Sequence, residues 1–252
     1  MRRVWGLAAI GIGLLSATHA MADPRLDEKV YDPYILNRVW EIEARHSQEL
    51  GAGALDGQRS LVLEAEHGLN DRFSLAVVGM IGRDPGAGTK VNAIGLEGVA
   101  YLGQLPGIGV DTGAYVELAH GFGAEPDFVE AKLLFAKRVD RFEGLLNLIV
   151  ERPLNAPAGQ NYASYGYATS VTWRTVGRLR LGAQAFGDFG DDHGFLNKPQ
   201  GAYVGPYMKW GVRPMSAPFD VEIEAGWLKS VGTDRAEAGS QVRFAIDFER
   251  RF

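Results

Sequence analysis

Phe219-Asp220-Val221-Glu222-Ile223-Glu224-Ala225-Gly226-Trp227 decides the fold. Apolar residues occupy every second position, and Asp, Glu, Glu and Gly occupy those between them. Successive side chains of a strand point to opposite faces, so this stretch is a strand with one apolar and one acidic face. The same period recurs along the chain. Val242, Phe244, Ile246 and Phe248 alternate with Arg243, Ala245, Asp247 and Glu249. Leu179, Leu181, Ala183 and Ala185 alternate with Arg178, Arg180, Gly182 and Gln184. Phe142, Gly144, Leu146, Leu148 and Val150 alternate with Glu143, Leu145, Asn147, Ile149 and Glu151.

About twelve such segments are expected, near 37–46, 60–67, 72–82, 91–102, 108–120, 127–137, 141–151, 162–174, 178–187, 202–212, 218–229 and 240–252. Segments of about ten alternating residues separated by turns are the signature of a membrane β-barrel. The connections sharpen that reading. Long ones, near 49–57, 83–90, 121–126, 152–161, 187–201 and 230–238, alternate with short ones, near 68–71, 103–106, 139–140, 176–177 and 213–217. Outer-membrane barrels have short periplasmic turns and longer extracellular loops. The fold class expected is therefore all-β: a transmembrane antiparallel up-and-down barrel of about twelve strands, with ten or fourteen as alternatives. Both ends of the barrel segment then lie on the periplasmic side, which requires an even strand number.

Composition agrees. The chain has 252 residues, 33 Gly, no Cys, 46% apolar residues, a mean hydropathy of −0.10 and a net charge of −5. The negative charge disfavours a nucleic-acid binder, and the apolar content disfavours disorder. The absence of Cys excludes disulfide staples, thiolate metal sites and Cys nucleophiles. Near-neutral hydropathy is the average expected of a lipid-facing set and a hydrated interior set. Glycine stands at roughly twice its usual ~7%; interior Gly relieves crowding where strands curve to close a barrel.

The N-terminus reads as an address. Met1-Arg2-Arg3 is cationic, Val4 to Ala17 is apolar, and Ala20-Met21-Ala22 is an A-x-A cleavage pattern. Residues 1–22 are thus a secretory signal peptide, followed by an N-terminal periplasmic lead, 23–36, that plugs or lines the periplasmic mouth. The barrel is 37–252. Removing Arg2 and Arg3 leaves the chain two units more negative. The chain is expected in the outer membrane of a Gram-negative bacterium.

Outward aromatics supply a second test. The phase places Trp40, Phe73, Phe135, Phe142, Trp173, Trp210, Phe219 and Phe248 outward at the periplasmic end of eight strands, with Tyr165 and Trp227 towards the other rim. Amphipathic rings favour a membrane–water interface, so this set is a candidate girdle in contact with outer-membrane lipids. The chain ends on Phe252, in phase with Phe248. A terminal aromatic of this kind resembles the signal read by the barrel assembly machinery, an expected partner.

Two stretches resemble a known family. Val30-Tyr31-Asp32-Pro33-Tyr34-Ile35 followed by Trp40-Glu41-Ile42-Glu43-Ala44-Arg45 is similar to the entry of uncharacterised proteobacterial outer-membrane barrels. Leu63-Glu64-Ala65-Glu66-His67-Gly68-Leu69-Asn70-Asp71-Arg72-Phe73 resembles their E-x-G-L-T-D-R-F/W hairpin, with His67 where Tyr is common and Asn70 where Thr is common. The hairpin also occurs in barrels of the phenol-degradation meta-pathway type, and the resemblance implies uptake of hydrophobic compounds. It covers about the first third of the mature chain, together with the overall barrel pattern.

The inward phase gives the candidate lumen. Strands one and two supply Glu41, Glu43, Arg45, Glu64 and Glu66; strands eleven and twelve supply Asp220, Glu222, Glu224, Arg243, Asp247 and Glu249. Closure sets these side by side as an acidic wall. Strands eight to ten supply Arg174, Arg178, Arg180 and Lys209, and Glu97, Asp111, Tyr115, Glu117, Glu130, Lys132, Glu143 and Asn147 lie between. Two readings follow: opposed walls set up a transverse field in a water-filled, cation-favouring pore, or the charges pair and satisfy one another. The function expected is passive passage of a small solute, without cofactor or catalytic residues. The alternatives are a lipid-modifying enzyme with His46 or His120 as base and a structural or adhesive barrel. His46-Ser47 are strand neighbours, so their side chains point to opposite faces and cannot form a dyad. The stretch 187–194, with Asp188, Asp191, Asp192 and His193, reads as a loop rather than a dedicated metal site, and Gly86-Ala87-Gly88-Thr89-Lys90 lacks the spacing of a phosphate loop.

Overall fold

The computed structural model describes residues 24–51, 53–157, 161–196, 201–212, 219–232 and 239–251. The expected signal peptide, the short turn near 213–217 and Phe252 lie outside them. A single helical turn, α1 (Pro24–Asp27), precedes twelve strands: β1 (Val39–Leu50), β2 (Arg59–Gly68), β3 (Phe73–Arg83), β4 (Lys90–Leu105), β5 (Val110–Gly121), β6 (Phe128–Val139), β7 (Phe142–Pro153), β8 (Ser164–Arg174), β9 (Leu179–Asp191), β10 (Ala202–Val212), β11 (Asp220–Ser230) and β12 (Ser240–Arg251). Each pairs antiparallel with its sequence neighbour, and β1 pairs with β12 from Val39↔Arg251 to Leu50↔Ser240. The barrel is closed, so no strand edge is left unpaired. β9 runs on to Asp191, so 187–191, read above as loop, is strand; Asp188 and Gly187 still pair with β8 there.

The connections divide the barrel into a short-turn rim and a long-loop rim. At the short-turn rim, Asp140 adopts φ 53° in the turn between β6 and β7, a left-handed conformation that short polar residues tolerate. The turn 69–72 is closed by Asn70, whose Oδ1 accepts from the backbone N–H of Arg72 (2.8 Å) and Phe73 (3.1 Å).

The strand phase divides the side chains as alternation requires. Leu75, Leu96, Leu118 and Val171 face outward and are more than half exposed, whereas Glu43, Glu64, Glu97 and Glu117 face inward and are buried. An apolar exterior around a charged interior inverts the usual arrangement of a water-soluble protein, and its continuity around the barrel is what a lipid surrounding stabilises.

The lead does not stop at the mouth. Leu36 lies at the short-turn rim, but residues 26–35 run on into the interior. Val30 packs against Ile149, Ala168, Phe186, Tyr203 and Leu228, an apolar cluster in the long-loop half that Leu55 also touches. The physical reason is charge and hydrogen bonding: the lead brings Lys29 and a free peptide edge to an interior rich in carboxylates and amide acceptors. Two wall glycines make the path. A Cβ on Gly113 would sit 2.8 Å from Pro33 Cβ, and one on Gly68 would sit 2.0 Å from the Leu36 carbonyl oxygen.

Candidate functional site: the charged interior

Register, rather than phase, organises the interior acids. Directly paired positions run Asp220–Glu249–Glu41–Glu66 across β11, β12, β1 and β2. The same row continues through Ala76 to Glu97, Glu117, Glu130 and Glu151 on β4 to β7. Barrel strands tilt about 35–45° from the axis, so a row perpendicular to them climbs as it goes round. It begins at the first residue of β11, at the short-turn rim, and ends near the last residues of β7, at the long-loop rim. Eight carboxylates, interrupted once by Ala76, thus form a spiral from one rim to the other. A shorter row, Glu222–Asp247–Glu43–Glu64, lies one inward position further along the same strands.

The bases are distributed unevenly against this spiral. Arg45 binds Glu43 and Glu64, the latter at 3.1 Å. Lys132 binds Glu28 of the lead at 2.5 Å and Glu130 at 3.0 Å, with the Tyr31 and Tyr115 rings each 4.6 Å from its Nζ. Among the described residues, Glu97, Glu117 and Glu151 have no basic side chain within ion-pair distance; Glu97 and Glu117 accept only from the hydroxyls of Tyr31 (3.4 Å) and Tyr115 (3.0 Å).

The candidate basic sector is not a free wall. Arg178 meets Asp220 at 3.2 Å, Arg180 meets Glu143 at 3.2 Å, and Lys209 meets Glu222 and, at 3.3 Å, Glu224. Arg138, not singled out from the sequence, meets Glu143 at 2.7 Å. Arg174 stands exposed at the short-turn rim. Acids and bases therefore interleave on β6 to β11, because Arg138, Arg178, Arg180 and Lys209 each have a carboxylate within reach on the adjacent strand or the one beyond it. The excess of carboxylates lies on β1 to β7.

The lead is bound by this interior at several points. Asn147, fully buried, grips the Tyr31 backbone at both ends: the Tyr31 N–H donates to its Oδ1 (2.7 Å) and its Nδ2 donates to the Tyr31 carbonyl (2.8 Å). Arg243 donates to the carbonyls of Leu26 (3.0 Å) and Glu28 (2.8 Å) and lies 4.0 Å from the Phe186 ring centroid. Tyr34 donates to Asp111 (3.0 Å), beneath the guanidinium of Arg138 at 4.2 Å. Lys29 contacts Glu43 and lies 4.0 Å from Glu41. Burial alone would lower the Lys29 ammonium, but Glu43, Glu64 and Asp247 around it hold it well above its ordinary value. Burial raises the Asp32 carboxyl, only partly offset by Lys209 and the Tyr34 N–H. At the exit, Asn37 donates to Asp71 (2.8 Å). The two stretches that carry the family resemblance, lead and hairpin, therefore touch one another.

Below the lead, a cavity of about 340 Å³ opens towards the short-turn rim, lined by Asp32, Glu41, Glu66, Arg180, Lys209 and Asp247 among others. A second, smaller cavity of about 30 Å³ lies beside Val30, Phe186 and Arg243.

The remaining candidates are placed as follows. Trp40, Phe73, Phe135, Phe142, Trp173, Trp210, Phe219 and Phe248 all lie outward near the short-turn rim. Phe142 stacks on Trp173 at 6.4 Å, Phe219 meets Phe248 at 6.0 Å, and Trp40 stacks on His67 at 4.6 Å. His46 faces outward, its Nδ1 2.9 Å from the Ser60 carbonyl, while Ser47 faces inward beside Arg243. His120 is exposed and paired with Asp127 at 2.7 Å. Asp191, Asp192 and His193 cluster at the surface, where His193 already pairs with Asp192 at 2.8 Å.

No protein-family model matches the chain, and no curated protein matches it. Solved structures do. The chain is similar to the COG4313 outer membrane channel from Pseudomonas putida F1 at 14% identity, with a TM-score of 0.59 over 88% of this chain and 98% of that one. It is similar to the KdgM porin at 13% identity, with a TM-score of 0.51 over 84% of this chain and 99% of that one. The KdgM porin in complex with disordered oligogalacturonate gives the same TM-score at 12% identity. At these identities the likeness is one of fold: a closed antiparallel barrel of this size and connectivity.

Proposed function

We propose that this chain is an outer-membrane channel for small solutes, with a preference for cations, whose lead occupies the interior. The observation that carries the reading is the carboxylate spiral from rim to rim, with its least compensated members at Glu97, Glu117 and Glu151. Rings of acidic side chains select cations because the field they set up persists in the poorly screened interior of a pore. The apolar exterior and the aromatic set near one rim support a barrel seated in a bilayer with the short-turn rim periplasmic. The fold neighbours described above, an outer membrane channel and a porin, support the same role. Signal-peptide removal before Asp23 and recognition of the Phe252 terminus by the barrel assembly machinery complete the proposal.

Planar-bilayer recordings of the full-length refolded protein test it. Under a potassium chloride gradient the reversal potential takes the cation-selective sign. The pair Glu97→Gln and Glu117→Gln moves it towards zero. An anion-selective reversal potential, or no conductance at any voltage, removes the reading.

One observation favours a second reading. The apolar cluster of Ile149, Ala168, Phe186, Tyr203 and Leu228 lies inside the barrel, and the sequence resemblance implies hydrophobic cargo. Accumulation of a neutral aromatic solute in liposomes carrying the protein, without ionic conductance, supports that reading instead.

A further inference from the structure

We propose that Arg59 and Arg83 form a clamp, on the outward face of the long-loop rim, for the phosphate groups of a lipid in the surrounding leaflet. Lipopolysaccharide is the lipid, because the leaflet that this rim reaches is the outer one. The inference rests on the reading of the long-loop rim as extracellular, and deepens it by naming what that rim binds.

The outward face carries charge of one sign. Acids outnumber bases 31 to 26 in the chain, yet among the described strands no outward position holds Asp or Glu. The charged outward residues are Arg59, Arg83, Arg152 and Lys229 at the long-loop rim and Lys137 and Arg250 at the short-turn rim. Long basic side chains at the edges of an apolar band keep their stems in lipid and their charge at the headgroup level. Bases without acids at those edges match anionic headgroups, which attract Lys and Arg and repel carboxylates.

Arg59 and Arg83 stand out within that set. They are directly paired across β2 and β3, where like charges oppose each other and destabilise the sheet. Among the described residues, no carboxylate lies within ion-pair distance of either; Asp84, which follows Arg83, is held by Lys90 at 3.4 Å, and Lys90 also takes Glu125 at 2.9 Å. The Arg83 Nε donates to the Ala87 carbonyl at 3.2 Å, a bond that orients the guanidinium and uses none of its terminal nitrogens. An anion between the two side chains converts their repulsion into charge-assisted bonds, and guanidinium groups take phosphate oxygens in bidentate fashion. The level fits as well. Phe73 of the aromatic set and Arg83 share one face of β3, and the ten-residue step between them, at about 3.3 Å per residue and a tilt near 40°, spans ~25 Å of barrel height. The apolar band of an outer-membrane barrel is about 25 Å tall. With Phe73 at one interface, the guanidinium groups stand at the other. Leu61 and Ile81, the next outward residues on β2 and β3, are paired beneath them on the side of the acyl chains.

The test uses the full-length protein refolded in nonionic detergent micelles. Native mass spectrometry counts bound lipid in titrations with bis-phosphorylated lipid A, the same lipid after dephosphorylation, and phosphatidylglycerol. The wild type is expected to bind bis-phosphorylated lipid A at least tenfold more tightly than either of the others. Arg59→Gln combined with Arg83→Gln removes that preference, and Lys137→Gln at the opposite rim leaves it intact. Equal affinities of the wild type and the double variant, or equal binding of dephosphorylated lipid A, overturn the clamp. Equal binding of phosphatidylglycerol overturns the choice of lipid. Thermal unfolding supplies a sign. Without lipid A, Arg59→Gln unfolds at or above the wild-type temperature, because the opposed charge is gone; with lipid A, the wild type gains more than the variant. An equal gain overturns the clamp. Orientation is read separately. The chain has no Cys, so Gly88→Cys, in open space between β3 and β4, gives a single site for a membrane-impermeant maleimide on intact cells. Labelling supports the outer-leaflet assignment; its absence overturns that assignment, while the lipid titration still judges the clamp.

Discussion

Asn147→Ala gives the sharpest test of how the lead is held. Asn147 sits inward on β7, and its side chain takes no part in strand pairing. Its amide instead mimics a peptide group, accepting from the Tyr31 N–H and donating to the Tyr31 carbonyl at 2.7 and 2.8 Å. Each neutral hydrogen bond contributes about 1 kcal/mol net, and each buried polar group left without a partner costs roughly 1–3 kcal/mol. Two bonds go, and the Tyr31 N–H and carbonyl lose their partner together. The lead can relax or rehydrate, which offsets part of the loss. The docked lead is therefore destabilised by about 2–4 kcal/mol relative to the released one. At about 1.4 kcal/mol per factor of ten, the released fraction rises on the order of 30- to 1,000-fold. Tryptic cleavage after Lys29 in the folded, micelle-bound protein reads that fraction when opening and closing are fast. The expected result is a steep acceleration with the barrel still resistant to thermal unfolding. A cleavage rate within twofold of the wild type, with the barrel intact, refutes the argument that these two bonds hold the lead.

Other perturbations follow from the same geometry. Gly113→Val places a Cβ 2.8 Å from Pro33 Cβ and 3.0 Å from the Ala100 carbonyl oxygen; overpacking of this kind costs about 1–3 kcal/mol, and cleavage after Lys29 is expected to quicken. Lys132→Met leaves Glu28 and Glu130 buried without their shared cation; breaking a buried pair costs roughly 3–5 kcal/mol, so thermal unfolding in detergent moves to lower temperature, and adding Glu28→Gln recovers part of the loss. Asp32 carries the pH dependence of the lead. Its carboxyl is raised in the docked state, so the docked lead takes up the proton more readily. The contribution to docking is fully present below the ordinary carboxylate value and is lost as pH rises through the docked value. At pH 7, Asp32→Asn is expected to slow cleavage after Lys29, and the difference from the wild type to shrink as pH falls towards 4. Cleavage kinetics run in parallel on the two proteins isolate this group, because the other carboxylates titrate in both. A gap that widens with acid contradicts the assignment.

Much of the architecture is legible in the sequence, and the reason is local. Alternation over nine residues in 219–227 reports one strand with two unlike faces, and neither face depends on distant contacts to be recognised. An even strand number of about twelve, antiparallel order and closure follow from repeating that reading and from the alternation of connection lengths; the count of twelve itself comes from the structure. The separation of Glu43 from Ile42, or of Glu97 from Leu96, needs only the period. The level of a residue along the barrel is different. Pairing shifts at Met80/Ile81, Tyr101/Gly103 and Tyr165/Gly166 change which residues face each other, and no period-two pattern reports them. The acids of β1, β2, β11 and β12 were legible as a wall; their continuation as a row through Glu97, Glu117, Glu130 and Glu151 was not. The lead has no period at all, so nothing local tells whether Lys29 and Tyr31 stay at the mouth or enter.

By itself, then, the amino-acid sequence determined an antiparallel barrel of about twelve strands, its apolar outside and its charged inside, because side-chain alternation is a property of the extended backbone. Tertiary structure alone decided that the acids climb from rim to rim, that Arg178, Arg180 and Lys209 are spoken for by carboxylates of other strands, and that Lys29 stands among Glu41, Glu43 and Asp247. Those facts depend on strand tilt, on register across hairpins and on a segment that reaches its partners through space. They are non-local, and they appear only when β12 closes on β1.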